Sequence, residues 1–238
     1  MNIAIIFAGG VGTRMNTKDK PKQFLMVHGK PIIVHTIEVF QKHAEIDGII
    51  VVCVDGWLDY MAEMKDRYRL DKISRIVKGG ETGQLSIYYG LKAAGQVYGI
   101  DDNIVLIHDG VRPLIDSKTI TANIESVKRY GSAITCAPTK ESVVLTGPDG
   151  VIESVVEREQ SRTAKAPESF YLKDILAADE ESISKGIINV IDSCTLMAHH
   201  GMKMHIVDGD YGNIKITTPE DFYTFRSIYD AKENEQLM

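Results

Sequence analysis

Asn2-Ile3-Ala4-Ile5-Ile6-Phe7 runs directly into Ala8-Gly9-Gly10-Val11-Gly12-Thr13-Arg14-Met15. The first half is a short apolar run rich in β-branched residues and reads as a strand. The glycines behind it let the backbone approach a chain of phosphates and aim N–H groups at it. They do not spell the dinucleotide fingerprint, because Met15 stands where its third glycine belongs, and no Gly-Lys-Ser/Thr sequence of the Walker type occurs. Their company strengthens the reading. Arg14, and Lys22 in Lys20-Pro21-Lys22-Gln23-Phe24-Leu25, add positive charge where a triphosphate would lie.

Working outward from this strand, short β-branched runs alternate with longer segments of helical period. That alternation is the pattern of βαβ units and predicts an α/β fold: a Rossmann-like, mostly parallel sheet flanked by helices. Strands are expected at residues 3–7, 48–54, 73–77, 103–108 and 133–136, with helices at 31–44, 58–68, 84–96 and 119–130. The 31–44 segment places Ile33, Ile37 and Phe40 on one face and opens on Pro31, a favoured first-turn residue. The alternation then breaks. Ser142-Val143-Val144-Leu145-Thr146 and Val151-Ile152-Glu153-Ser154-Val155-Val156 flank Gly147-Pro148-Asp149-Gly150, which predicts an inserted β-hairpin. Such an arm, placed at about residues 139–166, exposes apolar edges that pair with another subunit, so a homodimer is expected. Beyond it, residues 173–185, 192–200 and 219–232 read as helical and 203–207 as extended; no linker or repeat divides the chain, and residues 1–238 are expected to form a single domain.

The composition is that of a folded globular chain, 44% hydrophobic and 25% charged. A net charge of -6 argues against a nucleic-acid partner, whose phosphates call for a basic excess, and requires any bound phosphate to meet a local basic cluster. The opening residues lack the basic flank and length of a secretion signal, and no apolar stretch approaches a membrane span, so cytoplasmic residence without a membrane partner is expected. Cys53, Cys136 and Cys194 share no metal-binding or disulfide spacing and are expected to be reduced thiols.

Ala8-Gly9-Gly10-Val11-Gly12-Thr13-Arg14-Met15 followed by Pro21-Lys22-Gln23-Phe24 resembles the signature of the polyol-phosphate cytidylyltransferases, which include methylerythritol-phosphate, ribitol-phosphate and glycerol-phosphate enzymes. The resemblance continues in register through Gly79-Gly80 with Ser86, through Val105-Leu106-Ile107-His108-Asp109-Gly110-Val111-Arg112-Pro113, and through Asn213-Ile214-Lys215-Ile216-Thr217-Thr218-Pro219-Glu220-Asp221. It implies a nucleotide-diphospho-sugar transferase-like fold and a reaction in which a phosphate oxygen of the acceptor attacks the α-phosphorus of CTP, giving a CDP-polyol and pyrophosphate. The catalytic task is then to hold two anions together and to stabilise charge on the α-phosphate. By this resemblance Arg14, Lys22 and Lys215 are catalytic; Ala8, Gly9, Gly10, Gly12, Gly80, Ser86 and Asp109 bind the nucleotide; and Arg112, Arg158, Asp192 and Lys215 bind the acceptor. Asp109, at the carboxyl end of its strand, is the expected ligand for Mg2+, with helix capping as its competing role. Arg158 is expected to reach across the dimer into the partner's site. His108 is left structural, because the attacking phosphate is already anionic.

The match departs from the better-known members on the acceptor side. Gly83 replaces an arginine, Ala166-Pro167-Glu168 replaces Thr-Pro-Gln, and Ile191 replaces a threonine whose hydroxyl faces the acceptor. An isoleucine there leaves polar groups of the original acceptor unpaired, at about 1–3 kcal/mol each. That loss favours ribitol or glycerol phosphate, acceptors used for surface polysaccharide, over methylerythritol phosphate of isoprenoid synthesis. A non-catalytic nucleotide sensor is the alternative of another class; it predicts loss of a charge-stabilising residue, yet Arg14, Lys22, Asp109 and Lys215 are all present.

Overall fold

A computed structural model describes residues 1–9 and 20–235. The chain order is β1 (Asn2–Ala8), β2 (Met26–Val27), β3 (Lys30–Pro31), α1 (Ile32–Lys42), β4 (Gly48–Cys53), α2 (Leu58–Arg67), β5 (Ile73–Lys78), α3 (Gly83–Tyr98), β6 (Ile104–Asp109), α4 (Ser117–Tyr130), β7 (Ser132–Pro138), β8 (Val143–Thr146), β9 (Ile152–Val156), β10 (Arg162–Tyr171), α5 (Leu172–Ser184), α6 (Ser193–His199), β11 (Ile206–Asp208) and α7 (Pro219–Glu235). Among the described residues, no helix is long and apolar enough to cross a membrane.

Seven strands form one sheet in the order β11-β7-β10-β6-β1-β4-β5. β1 lies in its interior, next to the central β6, and pairs in parallel with β4 and with β6, Ile5 standing opposite both Ile50 and Ile107. A strand with neighbours on both sides and helices on both faces must be apolar at every position, which is why Ile3, Ala4, Ile5 and Ile6 are all fully buried. Their alternation divides the core. Ala4 and Ile6 join Ile33, Phe40 and Ile124 under α1 and α4, whereas Ile3 and Ile5 join Leu91, Leu172 and Leu196 under α3, α5 and α6. A third, smaller cluster seats α7 through Phe225 on Val27, Ile32, Val111 and Ile216.

The expected α/β fold with its mostly parallel sheet is the observed one, with three differences in detail. β10, a strand of ten residues absent from the sequence expectation, runs antiparallel between β6 and β7. Its charges and Pro167 disguise it; the register breaks between Ala164 and Glu168, and a proline is tolerated at such an irregularity because no ladder donor is needed there. The stretch expected to form the arm therefore divides: β8 and β9 pair as an isolated hairpin, and from Arg162 the chain re-enters the main sheet. Pro31 caps α1 rather than filling its first turn, with ψ of 145°.

Candidate active site

β1, β4, β5 and β6 all end on the same side of the sheet, and strand order turns back around β1, the place where open α/β sheets bind ligands. A cavity of about 700 Å³ opens there, lined by Ala8 at the end of β1 and Gly9 beyond it, Asp55 after β4, residues 79–83 after β5, and Asp109 at the end of β6, with Lys22, Lys215 and Thr217 completing its walls.

The glycines are needed because two loops touch. A Cβ on Gly9 would fall 2.8 Å from the Ser86 hydroxyl, and one on Gly79 would lie 3.2 Å from the Gly9 Cα. Ser86, on the first turns of α3, is buried; its Oγ accepts from the Gly80 N–H at 3.0 Å and donates to the Thr82 carbonyl at 2.9 Å. Thr82 caps α3 by accepting from Leu85 N–H at 3.1 Å. Gln23, buried beside Lys22 in the turn Lys22–Phe24, donates from Nε2 to the Ala8 carbonyl at 2.8 Å and so fixes the end of β1. Sequence reasoning gave Gln23 no role, since its partner is fifteen residues away.

Asp109 is the electrostatic centre of the cleft. Its Oδ1 lies 2.6 Å from Lys215 Nζ, and its Oδ2 accepts from Arg112 Nε at 2.8 Å. Burial pushes the carboxyl towards its neutral form, but the charges of Lys215 and then Arg112, with their hydrogen bonds, outweigh it and hold the pKa at about 2. Arg112 is committed on its other side too, donating from Nη1 to the Asn213 carbonyl at 2.9 Å. His108, fully buried against Phe40 with Nε2 3.2 Å from the Arg112 carbonyl, is pushed down to about 4 by burial and is neutral near pH 7.

The other expected residues fall elsewhere. Gly10, Gly12 and Arg14 lie outside the described residues. Arg158 sits just past the hairpin, where its guanidinium donates to Ser142 Oγ at 3.2 Å; it is not among the residues that line the cavity. Asp192 caps α6, accepting from Thr195 N–H at 2.7 Å. Ile191 is 86% exposed, so the cost expected from burying unpaired polar groups against it does not operate in the isolated chain. Glu168, which earned only a note as a substitution, is buried on β10 and accepts from the Cys194 N–H at 3.0 Å. Burial, then the neighbouring Asp192 charge, pushes it up to about 8.

Glycine backbone that can wrap a phosphate chain and a carboxylate flanked by two cations, all at the carboxyl ends of a parallel sheet, define a nucleotide-binding transferase of the α/β class. The profile of the family described as IspD, 2-C-methyl-D-erythritol 4-phosphate cytidylyltransferase, matches residues 2–230. A ribitol-5-phosphate cytidylyltransferase of Streptococcus agalactiae serotype V is 59% identical over 237 residues, covering 100% of this chain and 98% of that protein. A 2-C-methyl-D-erythritol 4-phosphate cytidylyltransferase of Clostridium acetobutylicum is 37% identical, covering 96% and 97%. The crystal structure of the 4-diphosphocytidyl-2C-methyl-D-erythritol synthase of Anaerococcus prevotii superposes with a TM-score of 0.81 at 29% identity, covering 96% of this chain and 95% of that one. The chain belongs to the polyol-phosphate cytidylyltransferase family.

Proposed function

We propose that this cytidylyltransferase takes ribitol 5-phosphate as its acceptor, working in the cytoplasm. The observation that carries the reaction is the joining of Lys22, Lys215 and the glycine backbone of two loops in one cleft on a chain of net charge -6. The choice of acceptor rests on the 59% identity to an enzyme named for that substrate.

CTP lies along the glycine loops, with Gly80 and Ser86 at its base and ribose and the N–H groups near Ala8 and Gly9 at its phosphates. A phosphate oxygen of the acceptor attacks the α-phosphorus; that bond forms as the bond to the bridging oxygen breaks, and pyrophosphate leaves. No protein nucleophile takes part. Lys22 and Arg14 stabilise charge growing on the α-phosphate, and Lys215 holds the acceptor phosphate. Asp109, ionised across the working pH range, holds the Lys215 ammonium at the edge of the cleft, while Arg112 fixes the carboxylate from behind. Mg2+ accepts one or two carboxylates together with substrate phosphates. Asp109 offers that donor chemistry and would hold the ion together with the substrate phosphates, since among the described residues no cluster of three His, Cys, Asp or Glu side chains would hold it alone. When bound, the ion would neutralise triphosphate charge. Arg158 completes the acceptor site from the second subunit of a homodimer.

Incubation of the purified protein with CTP, Mg2+ and a panel of ribitol, glycerol, erythritol and methylerythritol phosphates, read by pyrophosphate release, tests this. Ribitol 5-phosphate is expected to give the highest kcat/KM. Preference for methylerythritol phosphate would replace the acceptor, and no release with any member would favour a nucleotide sensor.

A further inference from the structure

Lys165 belongs to no motif of the sequence, yet it is 8% exposed and holds its ammonium inside the protein. It stands in the stretch of β10 where the register breaks, between Ala164 and Glu168. From there Nζ donates to two backbone carbonyls of the segment before α7, Tyr211 at 3.0 Å and Asn213 at 3.2 Å. Asn213 answers with its side chain, whose Nδ2 donates to the Ala166 carbonyl at 2.9 Å. The Asn213 carbonyl also receives Arg112, and two residues further on Lys215 reaches Asp109. The Tyr211 ring also meets two cations, with Lys140 Nζ 3.7 Å and Lys165 Nζ 5.1 Å from its centre.

Residues 211–218 have no helix or strand of their own, so their carbonyls lack ladder partners. A neutral donor would satisfy them at lower desolvation cost than an ammonium, because burying a charge is expensive unless it is well paired. Placing a cation here instead adds positive charge behind Arg112 and Lys215, in a chain that is acidic as a whole. We propose that Lys165 is a positioning residue for the reaction: it clamps the 211–213 backbone to β10 so that Lys215 is delivered to the cleft at the height of Asp109. The inference rests on the reading of Lys215 as the residue that holds the acceptor phosphate.

A double-mutant cycle tests it, with Lys165→Met, Lys215→Ala and the double variant compared for kcat and for the KM of CTP and of ribitol 5-phosphate. Lys165→Met is expected to lower kcat/KM for the acceptor by roughly tenfold to a hundredfold, as displacement of a distant support does. The KM for CTP should stay within about twofold, and there should be little further loss in the Lys215→Ala background. Melting temperatures are read alongside; where Lys165→Met does not fold, Lys165→Gln, which keeps an N–H donor, enters the same cycle. Equal losses in both backgrounds, or near-normal acceptor kinetics in the single variant, overturn the role of Lys165 alone. Near-normal turnover in Lys215→Ala overturns the reading of Lys215 and the clamp with it.

Discussion

Glu168 illustrates how one buried side chain turns packing into a pH dependence. Its carboxyl is buried on β10 with Asp192 nearby, and burial first and that neighbour second push it from an ordinary 4.5 up to about 8. The folded chain therefore holds a proton that the unfolded chain releases between about pH 4.5 and pH 8, so this group's contribution to stability falls as pH rises through that window. Glutamine has nearly the same shape, can still accept from Cys194, and carries no charge. Glu168→Gln is thus expected to raise the melting temperature by on the order of 5 °C at pH 8.5 and by little at pH 5. Thermal scans of both proteins at the two pH values check this, and equal shifts at both would show that the carboxyl is not held protonated. Asp109 runs the other way. Its depressed pKa supplies stability that is present above the usual carboxylate range and lost as pH falls through about 2. The two carboxylates belong to neighbouring strands and burial pushes both up; for Glu168 that push stands and the neighbouring Asp192 adds to it, whereas for Asp109 the charges of Lys215 and Arg112 outweigh it.

At the scale of elements, the nucleotide side of the cleft depends on the turn after β1 lying against the start of α3. A methyl group on Gly9 would displace Ser86 Oγ, and with it the hydrogen bond to Gly80 N–H that sets the second glycine loop. Gly9→Ala is expected to raise the KM for CTP by roughly tenfold with the acceptor's KM almost unchanged; steady-state kinetics varying each substrate would detect the split, and a larger effect on the acceptor would contradict it. Gly9 was legible in the sequence because it follows the unmistakable apolar run from Ile3 to Phe7, whereas Gly80 and Ser86 were assigned by the family resemblance. Asp109 stands at the end of such a run too, Val105 to Ile107, while Lys22 and Lys215 came from motifs of the resemblance; the fold places all three around one cavity. β10 was not legible. Lys165, Pro167 and Glu168 spoil any strand pattern, and each is accommodated only by distant partners: carbonyls at 211 and 213 for the lysine, a break in register for the proline, the Cys194 N–H for the glutamate. A pattern read along the chain reports what neighbours in sequence do together. It says nothing of an ammonium whose acceptors lie 46 and 48 residues away.

For the whole molecule the question is whether one chain makes a complete site. The hairpin of β8 and β9 stands apart from the seven-stranded sheet and, with its turn, leaves Val144, Leu145, Val151, Ile152 and Val155 exposed, the surface that the proposed homodimer would bury. Arg158 follows directly on this hairpin and, within its own chain, bonds to Ser142 rather than lining the cleft. The proposal that Arg158 is donated to the partner's acceptor site is therefore tested on the assembly. Complementation separates this from a role within one chain. Suppose each site uses its own Lys22 and the partner's Arg158. A heterodimer of Lys22→Ala with Arg158→Ala then contains one site with both residues intact and one lacking both, whereas neither homodimer has an intact site. Random pairing of equal amounts makes half of the dimers mixed and half of their sites complete, so co-expression should restore about a quarter of wild-type turnover. If Arg158 serves the site of its own chain, every site in the mixture lacks one residue and turnover stays at the level of the single variants. Pyrophosphate release from the differently tagged, co-purified pair, set beside each homodimer, distinguishes the two.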